Sequence, residues 1–213
     1  MSLQEKLDRM HASVIERAPD LAASADADTA RLISKGIAQH AASIGEPAPD
    51  FELPDQLGRP VQLGRLLQKG PVIISFYRGG WCPYCNLELQ ALQHIMPEIE
   101  RHHAAVLAIS PQLPDHSAAT AEKNTLAFPV LSDRGNYVAR RYGLVFKLST
   151  QIRPVYEAIS VSLPKLNGDN SYELPVPGTF VVDGDGIVRA TFVNADYKKR
   201  MEPRLILDLL EGI

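Results

Sequence analysis

Apolar positions recur with a helical period at the two ends of this chain and in unbroken short runs through its middle. Near the N-terminus, Leu3, Leu7, Met10 and Val14 recur at helical spacing, which predicts an amphipathic helix over about residues 2–17, stopped by Pro19. A second helix is expected from the cap-like pair Asp28-Thr29, carrying Leu32, Ile33 and Ile37 as far as Gly45-Glu46-Pro47. Together they form an N-terminal helical extension, residues 1–43, ahead of a main domain over residues 44–213. Their apolar faces need a partner, either the main domain or, in a homodimer, a second copy of the chain.

The main domain opens with an extended segment near Phe51 and a turn at Leu57-Gly58-Arg59-Pro60. The runs Val72-Ile73-Ile74-Ser75-Phe76-Tyr77 and Ala104 to Ser110 are short and continuous, as in strands of a sheet covered on both faces. Between them Leu89, Leu92, Ile95 and Ile99 predict a helix to about His102, bent where Pro97 removes a backbone hydrogen bond. Strand, helix, strand reads as a right-handed crossover. Further helices are expected over about 114–125, around 137–142 with Gly143 as its C-terminal cap, over about 152–163, and over about 202–210. Thr179–Val182 and Ile187–Val193 flank Asp183-Gly184-Asp185-Gly186, a strong hairpin signal. Asp183 and Asp185 read as turn chemistry rather than a calcium loop, because no later oxygen ligands follow. The class is α/β, a central sheet flanked by helices.

The candidate chemistry lies where the first long strand hands over to a helix, in Arg78-Gly79-Gly80-Trp81-Cys82-Pro83-Tyr84-Cys85. Unpaired N–H groups and the helix dipole favour a thiolate in a first helical turn, and thiolate is the reactive form of cysteine. A spacing of three brings both sulfurs onto one face, within reach of a reversible disulfide. Three plainer readings compete. Zinc lacks ligands, since these are the only two cysteines and no paired histidines follow. Two inert core cysteines at such a junction would be an odd choice of filler, and a structural disulfide closing so short a loop would constrain the unfolded chain little. A redox pair is the reading that remains strongest, with Arg78 either holding the thiolate or lying on the surface at a strand end, and Trp81 and Tyr84 shaping a pocket or simply packing.

Composition narrows the class without naming it. The 213 residues are 45% hydrophobic and 22% charged with a net charge of −3, which suits a soluble domain and offers no basic surface for nucleic acid or an anionic membrane. The basic run Tyr197-Lys198-Lys199-Arg200 reads as a solvated patch, and the six histidines as solvent or helix-face residues. The first residues are charged and amphipathic, unlike a secretory signal, and no apolar run reaches membrane-span length, so the expected address is the cytoplasm.

Three further stretches carry a family resemblance. Gly45-Glu46-Pro47-Ala48-Pro49-Asp50-Phe51, then Phe128-Pro129-Val130-Leu131-Ser132-Asp133 with Tyr142-Gly143-Leu144, then Thr179 to Gly186 resemble the peroxiredoxin (alkyl hydroperoxide reductase/thiol-specific antioxidant) family of the thioredoxin-fold superfamily, over roughly residues 44–195. The resemblance implies a thioredoxin-like fold with a central mixed sheet. Laid on the family motif Pro-x-x-x-Thr/Ser-x-x-Cys, Cys85 takes the peroxide-attacking position and Glu88 the trailing glutamate. Cys82 replaces the hydroxyl residue, Arg78 the leading proline, and Pro177 the family's later arginine. Trp81-Cys82-Pro83-Tyr84-Cys85 is instead similar to the thioredoxin signature, in which Cys82 attacks and Cys85 resolves. Pro177, just ahead of Gly178-Thr179, then stands where thioredoxins carry a cis-proline beside their disulfide.

The implied activity is a cysteine peroxidase that reduces a hydroperoxide through Cys82 and Cys85, draws electrons from a thioredoxin-like thiol reductant, and needs no cofactor or metal. A thiol–disulfide oxidoreductase acting on protein or mixed disulfides is the alternative. A redox sensor, in which oxidation of the pair moves the N-terminal helices, is a third.

Overall fold

The computed structural model describes residues 1–213. The predicted first helix is α1, Leu3–Arg17, started by a capping box in which Ser2 Oγ accepts from Glu5 N and the Glu5 carboxylate accepts from Ser2 N. The second, α2, runs from Pro19 to Ser34, nine residues earlier than the Asp28-Thr29 cap signal suggested. Proline at the first helical position needs no N–H partner, so Pro19 both ends one helix and begins the next across Ala18. Thr29 lies inside α2, its hydroxyl donating to the Ala25 carbonyl.

The extended opening of the main body pairs β1, Glu52–Pro54, with β2, Pro60–Gln62, around a turn in which Asp55 accepts from Leu57 N and Arg59 N. After a short α3, Leu63–Leu67, comes the buried strand β3, Val72–Phe76. The bend expected at Pro97 is a break at Ile95 between α4, Pro83–His94, and α5, Met96–Arg101. Strand β4, Ala105–Ser110, runs parallel to β3, with Val72 opposite Ala105 and Phe76 opposite Ile109. Helix α6, Pro114–Lys123, leads to β5, Val130–Ser132, parallel to β4. Helix α7, Tyr137–Arg141, stops at Gly143 as predicted; its φ is +70°, and a Cβ there would lie 1.8 Å from the His40 carbonyl oxygen.

Two three-residue strands escaped the sequence reading, β6, Val145–Lys147, and β7, Glu173–Pro175, which pair with each other. Between them the single helix expected over 152–163 is instead two, α8, Arg153–Ala158, and α9, Leu163–Asn167. Pro154 and Pro164 each sit in the first turn of their own helix, where proline is tolerated, and Ser160 takes a left-handed φ of +62° between them. The hairpin follows as β8, Gly178–Val182, and β9, Val188–Val193, and α10, Pro203–Leu210, is last.

Five strands form one mixed sheet in the order β5-β4-β3-β8-β9, with β8 antiparallel to β3. Alternate residues feed two cores. Ile73, Val106 and Val181 face Leu89, Leu92 and Ile99 of α4 and α5, while Ile74, Leu107 and Phe180 face Leu63, Val138 and Tyr142. This is the helix-flanked mixed sheet that a thioredoxin-like fold requires. No helix is long and apolar enough to cross a membrane.

The apolar face of α1 finds its partner within the chain. Leu3 and Leu7 are buried in the same core as α4. The carboxylate of Glu202, just before α10, accepts from Leu3 N and Gln4 N at 3.0 and 2.7 Å, placing an anion at the positive end of α1. Leu7→Ala removes a fully buried side chain and is expected to destabilise the whole fold by about 2–5 kcal/mol, read as a lower urea midpoint with unchanged slope.

Candidate active site

The chain leaves β3 with Tyr77 N still donating to Ile109 O, then turns sharply through Gly79 and Gly80. A Cβ on Gly79 would lie 2.3 Å from Trp81 Nε1, and one on Gly80 2.1 Å from Thr120 Oγ1, so only glycines let the loop lie this close to its neighbours. The loop is also bonded from outside: Gln112 Oε1 accepts from Gly80 N at 2.7 Å, and Asn86 Nδ2 donates to Gly80 O at 2.9 Å. Asn124 in turn donates to Asn86 Oδ1 at 3.0 Å.

This places Cys82 as the N-cap residue of α4, with extended backbone, and Pro83 at the first helical position. Cys85 lies in the first turn. Both are free thiols. Both are buried, at 1% and 0% exposure, and they differ in that Cys82 lines an apolar cavity of about 120 Å³ whereas Cys85 does not. The cavity's other walls include Trp81, Tyr84, Tyr156 and Tyr197, and it is covered by Val14 of α1 and Leu21 of α2.

Burial opposes ionisation of Cys82, but the Cys85 thiol hydrogen-bonded to it and the charges of Arg78 and Arg200 outweigh that cost and bring its pKa down to about 6. Cys85 is driven well above the ordinary thiol value by burial and by the neighbouring Cys82 thiolate, against the pull of the same two arginines. Negative charge on the pair is therefore favoured at Cys82 and disfavoured at Cys85. The helix start presents the sulfurs, and the second sulfur and two guanidinium groups decide which one is charged.

Arg78 is not a surface arginine; it is 5% exposed. Its guanidinium carbon lies 4.4 Å from the Tyr197 ring centre and 5.0 Å from that of Trp81, and it donates to Tyr156 Oη, while its Nε has no partner. The buried Trp81 Nε1 is likewise unpaired. Trp81 packs edge-on against Tyr156, and Tyr84 edge-on against Tyr197, so both are wall residues of the cavity.

Several expectations are corrected here. Pro177 follows a trans peptide bond, as does every residue of the chain. It joins β7 to β8 along an extended path on which Val176 N donates to Leu144 O, so no tight turn is present to compensate the roughly 0.5–1 kcal/mol preference for trans. Thr179, expected as a supporting residue, donates its hydroxyl to Glu88 Oε1 at 3.3 Å. The run 197–200 is not a solvated patch. Lys198 bonds Asp26 and Asp196 at 2.7 and 3.0 Å, and Arg200 is buried, its Nε 2.6 Å from Glu88 Oε2 and its Nη2 3.8 Å from Cys85 Sγ. His11 is also a partner rather than a solvent residue, with Nδ1 3.2 Å from Tyr84 Oη and Nε2 3.5 Å from Asp26 Oδ2. Glu88 was the one available signal for Arg200, because a carboxylate on the buried face of a helix requires a cation. Burial pushes the Glu88 carboxyl above its usual range while Arg200 pulls the other way. No cluster of His, Cys, Asp or Glu is arranged to hold a metal ion.

The sequence model of the AhpC/TSA family matches residues 44–191. The chain belongs to the AhpC/TSA family. It is 29% identical over 150 residues to the chloroplastic peroxiredoxin Q of Sedum lineare, covering 70% of this chain and 68% of that one. The crystal structure of peroxidoxin BcpB from Mycobacterium tuberculosis superposes with a TM-score of 0.63 at 27% identity, over 80% of this chain and 97% of that one. The thiol–disulfide oxidoreductase ResA of Geobacillus thermodenitrificans is 27% identical over 167 residues, 76% of this chain and 78% of that one.

Alkylation of the reduced protein is expected to go first to Cys82, with a rate that rises with pH about a midpoint near 6. Removing the Arg78 charge in Arg78→Met moves that midpoint upward. A midpoint near the free-cysteine value in the unsubstituted protein would contradict the charge assignment.

Proposed function

We propose that this protein is a cysteine-dependent peroxidase in which Cys82 attacks the hydroperoxide and Cys85 resolves the product. The observation that carries the assignment is that Cys82 alone of the two sulfurs borders the cavity, with the charges of Arg78 and Arg200 favouring its ionisation. The Cys82 sulfur attacks the distal oxygen of ROOH; a sulfur–oxygen bond forms, the oxygen–oxygen bond breaks, and RO⁻ leaves and is protonated to the alcohol. The Cys85 sulfur then attacks the Cys82 sulfenic acid, releasing water and closing the disulfide. An external dithiol restores both thiols by exchange. The unpaired Arg78 Nε and Trp81 Nε1 are donors suited to the peroxide oxygens and the departing alkoxide.

The cover formed by residues 1–43 bears on the choice of substrate. A protein disulfide needs a polypeptide laid beside Cys82, and Val14 and Leu21 occupy that place. A hydroperoxide fits as the site stands, which favours the peroxidase over the ResA-like oxidoreductase reading. The walls favour an organic hydroperoxide with a short apolar tail, since an aliphatic cavity of about 150 Å³ takes up benzene. A small dithiol can enter directly, while a thioredoxin-like reductant requires α1 and α2 to move aside. Re-reduction at every turnover suits a reducing compartment, which points to the cytoplasm.

Coupled to a thioredoxin system, Cys82→Ser is expected to abolish peroxide consumption. Cys85→Ser should still form one sulfenic acid, at Cys82, per chain and then stop; mass spectrometry that finds the oxygen on Cys85 in Cys82→Ser, with the rate retained, would reverse the roles. In steady-state assays tert-butyl hydroperoxide should exceed hydrogen peroxide in kcat/KM by about tenfold or more, because a few buried methyl groups at ~0.8 kcal/mol each supply that factor. Equal values would remove the apolar-substrate reading.

A further inference from the structure

We infer that Arg200 is the group that holds the Cys85 sulfur as a thiolate while it closes the bond to Cys82. The inference rests on the preceding reading, in which Cys82 is oxidised first. Arg200 is sealed in the core, its side chain 1% exposed, so its charge acts on what lies within its own shell and has no role at the surface. Its donors are almost fully assigned. Nε bonds Glu88, Nη1 bonds the carbonyls of Tyr197 and Lys199, and Nη2 points to Cys85 Sγ at 3.8 Å. Glu88 accepts at its other oxygen from Thr179, so polar contacts run continuously through Thr179, Glu88, Arg200 and Cys85.

The ionisable groups around Cys85 are Cys82 and Glu88 on α4, Tyr77 and Arg78 beyond the end of β3, and Arg200. At rest the Cys82 thiolate opposes a second negative charge one turn away, and Cys85 keeps its proton. Reaction with ROOH turns Cys82 into a neutral sulfenic acid. The repelling charge is gone, and the Arg200 guanidinium 3.8 Å away remains to offset the burial that still opposes ionisation, so Cys85 loses its proton more readily at the moment its nucleophilicity is needed. Its sulfur then bonds to the Cys82 sulfur, the Cys82 sulfur–oxygen bond breaks, and the proton lost by Cys85 leaves with the hydroxide as water. Both arginines act on both sulfurs, Arg78 more strongly on Cys82 and Arg200 more strongly on Cys85.

The test is single-turnover oxidation of the full-length protein with tert-butyl hydroperoxide, followed by the fluorescence of Trp81, the only tryptophan, with dimedone trapping and mass spectrometry to locate the oxygen. Arg200→Met should still be oxidised at Cys82 but close the disulfide at least tenfold more slowly at neutral pH, with the pH midpoint of closure moved up. Glu88→Gln removes the opposing negative charge, keeps the arginine, and should move that midpoint down. It decides the matter on its own if Arg200→Met does not fold. Arg200→Lys should restore part of the closure rate. Opposite shifts from the two single variants are not what a purely structural ion pair would produce. A midpoint that Glu88→Gln leaves in place, or shifts in the same direction from both, overturns the inference while leaving the peroxidase reading intact. Oxygen found on Cys85 instead overturns the order of the two cysteines, and this inference with it.

Discussion

Two guanidinium groups are held out of water beside two sulfur atoms, and most of the site follows from the need to balance those charges. An isolated buried cation is costly, and breaking a buried ion pair commonly loses about 3–5 kcal/mol. Arg200 is balanced by Glu88, one turn beyond Cys85 on α4. Arg78 has no carboxylate partner. It lies among the faces of Tyr197, Trp81 and Tyr156, which offer partial negative charge but no formal one. A negative charge on Cys82 would complete the arginine's surroundings: burial opposes that charge, and the Cys85 hydrogen bond and the two guanidinium groups favour it.

This balance depends on how far water is kept out, and α1 and α2 supply part of the wall of the Cys82 cavity through His11, Val14, Leu21 and Ala22. More solvent there would screen the pull of both arginines and favour the thiolate less. The seating of these helices is therefore linked to the chemistry as well as to stability. The leucines at the start of α1 anchor it in the α4 core, Glu202 neutralises its N-terminal dipole, and Lys198 grips Asp26 of α2 from the same loop that supplies Arg200. One stretch of chain, residues 197–202, thus carries a cavity wall, the clasp on the cover, the cation beside Cys85 and the cap of α1.

Which parts could be read in advance follows from how locally each is encoded. The strands at 72–76 and 105–110 are continuous apolar runs, and the cysteine pair sits at a strand-to-helix junction marked by two glycines, so sheet and nucleophiles were both visible. Strands β6 and β7 were not, because three residues carry no period and their pairing joins positions 145 and 175. Arg200 and His11 were hidden for the same reason in the site itself. Nothing in Lys198-Lys199-Arg200 distinguishes the one arginine that turns inward, since its partner lies 112 residues away on another element. Pro177 misled in the opposite direction: its position matched a familiar pattern, while the backbone around it is an ordinary extended connection.

The two motif alignments left the order of the cysteines open, and the surroundings of each sulfur bear on that more strongly than either alignment. Position 85 corresponds to the attacking cysteine of the family motif, yet here it is fully buried and does not line the cavity that its neighbour borders. Position 82 corresponds to the motif's hydroxyl residue, a hydrogen-bond partner of the nucleophile. Exchanging that hydroxyl for a thiol changes more than one side chain. The partner becomes the stronger acid and the more accessible sulfur, so the charge moves outward by one helical turn and the inner cysteine is left as the hydrogen-bond donor. An arginine does lie near the inner sulfur, reaching it from residue 200 instead of the position of Pro177. The departures from the family pattern at positions 78 and 82 thus bear on one question, where the negative charge of the pair is favoured.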